Sequence, residues 1–113
     1  QIERRQNVDQ ALTLLKRASA LKPQDASITD SLGWAQYVTG NVTAAVPVLE
    51  RAAAGAPDDP TVNEHLGDAL WSAGRRYEAR YAWNAAAIFA EGDVAERLAA
   101  KAREGLKPEY AAP

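Results

Sequence analysis

Asp30-Ser31-Leu32-Gly33-Trp34-Ala35 returns 34 residues later as Glu64-His65-Leu66-Gly67-Asp68-Ala69, with the Leu-Gly pair in register. The same step carries Ile28 to Val62, Gly40 to Gly74, Ala45 to Ala79, Leu49 to Trp83 and Ala52 to Ala86. Taken backwards from Ala45, Leu49, Ala52 and Pro57, it reaches Ala11, Leu15, Ala18 and Pro23. Three windows that agree at one period without a gap mark a tandem array, whose units each bury their apolar side against a neighbour.

Each full unit reads as two helices. Asp25 and Asp59 precede the first helices, where a carboxylate accepts from the orphan N–H groups of the first turn. Pro60 stands at a first helical position, where its missing N–H costs nothing. Ile28, Leu32 and Ala35, and then Val62, Leu66, Ala69/Leu70 and Ala73, recur at spacings of three and four, the mark of one buried helical face. Gly40 and Gly74 end these helices, and second helices are expected over 42–55 and 76–90. The intervening loops are short, so the two helices of a unit run antiparallel. Asp93-Val94-Ala95-Glu96 predicts a capping box that opens a last helix to about Arg103, closed by Gly105 and Pro108. Glu96, Arg97, Lys101, Arg103 and Glu104 are expected to show their charge to water.

Composition narrows the function. The chain has 113 residues, 47% apolar and 25% charged, an ordinary globular balance. Alanine fills 25 positions, which suits helices whose backbones approach closely. With 13 basic against 15 acidic side chains there is no basic surplus for a phosphate backbone, so nucleic acid is not an expected partner. Zero cysteines exclude disulfides and thiolate chemistry and leave the compartment undecided between cytoplasm and periplasm. No apolar run is long enough to span a bilayer.

These spaced residues resemble the tetratricopeptide repeat (TPR) family. Leu32-Gly33 and Leu66-Gly67 match its first-helix pair, and Gly40 and Gly74 its turn glycine. Ala11, Ala45 and Ala79 match its small second-helix residue, Leu15, Leu49 and Trp83 its large one, and Ala18, Ala52 and Ala86 its second small one. Pro23 and Pro57 match the closing proline, which Glu91 replaces. Thr29, Asn63, Gln36 and Leu70 stand where aromatics are usual. The segment from Asp30 to Asp68 is similar to the last repeats of long bacterial members. The resemblance implies an all-α fold, a right-handed superhelical stack of antiparallel hairpins with a C-terminal capping helix. The expected partition is 1–23 for the second helix of a preceding unit, 24–57 and 58–91 for full units, 92–106 for the cap and 107–113 for a frayed tail.

The resemblance also implies that first helices line a concave side. Residues there that the hairpin core does not need are Ser27, Asp30, Trp34, Tyr37 and Val38, and then Thr61, Glu64, Asp68, Trp71 and Ser72. Aromatic anchors beside carboxylates suit a basic, partly apolar segment of a protein or peptide. The plainer alternative has the two tryptophans packing between repeats and the carboxylates forming a solvated face; Trp83 is expected in the core. The family's clamp for acidic peptide tails needs basic groove residues, and this stripe is acidic.

No catalytic or metal constellation stands out. The single histidine, His65, lies three residues from Asp68 on one helix, half a metal site at most. The glycines fall at helix ends rather than in a phosphate loop. No cofactor or metal is expected, and the chain reads as a non-enzymatic scaffold. Two alternatives remain: a self-associating end of a longer array, with Val8, Leu12 and Leu15 exposed on the leading helix, or a regulatory module of a separate catalytic domain.

Overall fold

The structure, a computed structural model, describes residues 2–113, with side chains described from residue 7 onward. Among the described residues there are six α-helices and no strand: α1 (Ile2–Leu21), α2 (Ala26–Val38), α3 (Val42–Gly55), α4 (Pro60–Ser72), α5 (Arg76–Phe89) and α6 (Gly92–Glu104). A single 3-10 turn, Pro108–Tyr110, follows. α2 packs on α3 and α4 on α5 as hairpins, while α1 on α2, α3 on α4 and α5 on α6 join successive units. This is an all-α, TPR-like solenoid.

The punctuation that the sequence predicts closes these helices. Asp25 Oδ1 accepts from the Ile28 N–H at 3.2 Å, and Asp59 Oδ1 from the N–H groups of Thr61 and Val62 at 2.9 and 3.3 Å. At the other end of α2 the N–H of Gly40 donates to the Tyr37 carbonyl and that of Asn41 to the Gln36 carbonyl, and α4 repeats the pair with Gly74 and Arg75. This crossed closure needs a left-handed residue, and Gly40 and Gly74 sit at φ of 93° and 84°. The capping box is the exception. α6 begins at Gly92, two residues early, with Glu91 rather than Asp93 at its N-cap and no side-chain cap bond. Gly92, at φ 58°, admits the chain to the helix sooner, which leaves Asp93 in the first turn, where the helix dipole favours its charge.

The core is alanine-lined and runs continuously through α3, α4, α5 and α6: Ala45, Val46, Leu49, Ala69, Leu70, Ala79, Ala82, Trp83, Ala86 and Leu98. Gly33 faces the Leu49 side chain and Gly67 the Trp83 indole so closely that a Cβ at either would overlap its neighbour. The 34-residue step thus pairs a glycine on each first helix with a large, fully buried side chain on the second. Trp83 is a core residue, as expected.

Candidate binding face

α2 and α4 lie side by side, and a column of rings joins them. The Trp34 indole is stacked between Tyr37, at 4.9 Å and 22°, and the His65 imidazole, at 3.9 Å and 13°. The imidazole Nδ1 stands 2.9 Å from Asp30 Oδ1 and donates to that carboxylate. Tyr37 Oη and Ser72 Oγ share a hydrogen bond of 3.1 Å. Burial raises the Tyr37 hydroxyl above its ordinary value, and the Asp68 charge adds to this against the Ser72 hydrogen bond. Asp30 and His65 are both buried, so His65 is an inter-helix histidine whose carboxylate is Asp30 rather than Asp68.

The carboxylates on α4 are spent inside the molecule. Glu64 accepts a two-pronged contact from Arg97 (Nε and Nη2, each 2.7 Å) and a third bond from Lys101 Nζ at 2.7 Å. Asp68 Oδ1 accepts from Lys101 Nζ at 2.9 Å and from the Trp83 indole N–H at 3.0 Å. Lys101 is fully buried and Arg97 half-buried, which corrects the expectation that both turn to water. Asp30, Glu64 and Asp68 are likewise corrected: none is a free groove carboxylate, because each lies buried against a hydrogen-bonding partner. Burial pushes Glu64 upward, yet the hydrogen bonds and charges of Arg97 and Lys101 outweigh it and hold the carboxyl below its usual range. For Asp68 burial wins, and its carboxyl is raised despite Lys101 and Trp83.

Trp71 packs inward. Its ring lies 5.6 Å from that of Trp83, with the Arg76 and Arg80 guanidinium groups 4.6 and 5.0 Å from its centre and Gly105 against its edge. Ser27, Thr61, Ser72 and Val38 are exposed, Val38 at 60%.

Of the ten predicted face residues, Trp34, Tyr37, Val38 and Asp68 come together around one hollow of about 390 Å³. Its remaining walls are Leu106, Lys107, Pro108, Ala111 and Ala112. Of these, the residues from Lys107 on belong to the expected frayed tail 107–113; the 3-10 turn at Pro108–Tyr110 and the bond from Tyr110 Oη to Glu104 give that segment a defined path. Ser27 and Thr61 lie away from the hollow, Glu64 is in the ion-pair cluster, and Trp71 is packed against the core. A signal for that cluster was present in the sequence: Glu64 and Asp68 are spaced by four, as are Arg97 and Lys101, two charge pairs that neighbouring helices can match.

With that geometry in hand, comparison with known families gives one match. The family model described as Tetratricopeptide repeat matches residues 3–60 and again residues 31–96. Comparison with curated proteins returned no match.

Proposed function

The chain belongs to the tetratricopeptide repeat family, and from that premise we propose that it is a non-enzymatic scaffold whose α2–α4 face binds an extended segment of a partner protein. TPR repeats in general mediate protein–protein interaction, and the family is typically non-catalytic. One observation carries the choice of face: the hollow walled by Trp34, Tyr37 and Val38, an apolar concavity on the helices that line the concave side in this family. The repeat partition 24–57 and 58–91 is part of the same reading.

The chemistry of the partner follows from what the face has left to offer. Its carboxylates are satisfied internally, so recognition rests on apolar contact with Trp34, Tyr37 and Val38 and not on a basic ligand. Selection from a displayed peptide library tests this. Selected peptides are expected to lose binding about tenfold or more with Val38→Asp, which places a charge where an apolar anchor would be desolvated. They are expected to bind Tyr81→Lys, altered on exposed α5, as tightly as the unaltered chain. Peptides sensitive to Tyr81→Lys and indifferent to Val38→Asp would put the binding surface elsewhere.

End-to-end association through α1 is a second reading, favoured by a specific observation. Leu14 and Leu21 are 63% and 83% exposed, and Leu14 lines a shallow hollow with Asp9, Gln10 and Thr13. Among the described residues of α1 these two are the exposed large apolar side chains; Val8, Leu12 and Leu15 are half-buried. Sedimentation equilibrium decides it: concentration-dependent dimers that Leu14→Glu abolishes support association, and a strict monomer at high concentration removes it.

A further inference from the structure

The hollow on the α2–α4 face has one wall that belongs to no repeat. Leu106, Lys107, Pro108, Ala111 and Ala112 stand opposite Trp34, Tyr37 and Val38. Gly105, at φ 88° against the Trp71 ring, turns the chain out of α6, and Leu106 is half-buried on the core. From there the segment runs beside the face and not away from it.

We propose that residues 106–113 are a built-in occupant of the binding face, holding the place of a partner's proline-bearing, apolar segment that binds by displacing them. The proposal rests on the binding reading above and names the chemistry of the partner for the same surface.

Three observations carry it. The polar ties of the segment are local: Lys107 Nζ and Tyr110 Oη donate to Glu104 at 3.0 and 3.3 Å, and the N–H groups of Tyr110 and Ala111 donate within the segment. Among the described residues no hydrogen bond runs from it to α2 or α4, and it lines the same hollow as Trp34, Tyr37 and Val38, so no polar tie has to break for another chain to take its place. The opposite wall is already fixed, by the Trp34 stack and the Tyr37–Ser72 hydrogen bond, so an incoming segment does not have to order it. Finally, the occupant fits loosely. Ala111 and Ala112 present only methyl groups to a hollow of about 390 Å³, and a segment with larger apolar side chains at those places fills space that the built-in one leaves open.

The chain has no cysteine, so a single thiol introduced by Ala112→Cys can carry a bimane dye, which tryptophan quenches on contact. In the full chain the dye is expected to be dim, and brighter when Trp34→Phe or Val38→Asp is added. Two synthetic peptides serve as probes, one with the sequence of residues 106–113 and one with Ala111→Leu and Ala112→Leu. Both are expected to restore fluorescence, the native sequence only at millimolar concentration, because it competes with a tethered copy of itself. The leucine form is expected to act at about tenfold lower concentration, from the added apolar area buried. A dye that is bright from the start, or indifferent to Trp34→Phe and Val38→Asp, overturns the proposal. So does a quenched dye that neither peptide relieves, which would make the segment a fixed part of the fold. Library peptides that lose binding with Val38→Asp would still uphold the face itself, so the two readings fail separately.

Discussion

Lys101 is the residue on which the C-terminal end turns. Its ammonium is fully buried between Glu64 and Asp68, and removing it leaves Glu64 to Arg97 alone and the buried Asp68 carboxylate without its ion-pair partner. Lys101→Met is therefore expected to cost about 3–5 kcal/mol in denaturant unfolding, far more than loss of an exposed pair such as Arg75–Glu78. The two carboxylates respond to pH in opposite senses. Glu64 is held below its ordinary value of 4.5, so its contribution is present above that pH and is lost as pH falls through its folded value. Asp68 is raised above its ordinary 3.8, so folding favours its protonated form and stability is lost as pH rises past that value. The difference in melting temperature between the unaltered chain and Glu64→Gln, largest near neutrality, is expected to shrink as pH drops below about 4.5. Equal differences at neutral and acid pH would show that the Glu64 charge is not what matters. Gln36 gives a change of the opposite sign. Its buried Oε1 has no hydrogen-bond partner, and Gln36→Leu is expected to raise stability by about 1 kcal/mol.

At the scale of elements, the helix ends and the close approaches set the geometry. Asp59 receives two backbone N–H groups at the start of α4, and Asp59→Ala is expected to cost about 1 kcal/mol, measured by chemical denaturation. Gly67 lets α4 settle against the Trp83 indole of α5. Gly67→Ala places a methyl in that contact, and the expected loss is about 1–3 kcal/mol from overpacking, against the usual gain from alanine in a helix. If Gly67→Ala proved more stable, the close contact would not be limiting. These elements were legible in the sequence because caps, turn glycines and small-for-large pairs are local or strictly periodic. The early start of α6 was not: Asp93 and Glu96 have the pattern of a capping box, but Gly92 offered the backbone a different entry.

For the whole molecule, units packed only on their neighbours make stability a sum of interfaces, so a change on α1 is expected to leave the α5–α6 end little affected. Two surface hollows away from the binding face repeat as the fold does. Asp9, Gln10, Thr13 and Leu14 on α1 lie two 34-residue periods before Tyr77, Glu78, Tyr81 and Ala82 on α5, and each set lines a hollow at the same register. The hollow at Trp34 is built differently, because one of its walls comes from the segment beyond α6.

The 34-residue period by itself determined the helices, their order, the turns and the core, since each depends on residues within one unit or one step away. It also placed Trp34, Tyr37 and Val38 on a common stripe. What it left open was which polar side chains would find each other across helices. Asp30 met His65, Glu64 and Asp68 met Lys101, and the C-terminal residues came to lie opposite Trp34 only once the stack was assembled. The physical reason is reach. Lysine and arginine side chains are long enough to choose between water and a carboxylate on the next helix, and only the packed arrangement, by removing the water, decides between them.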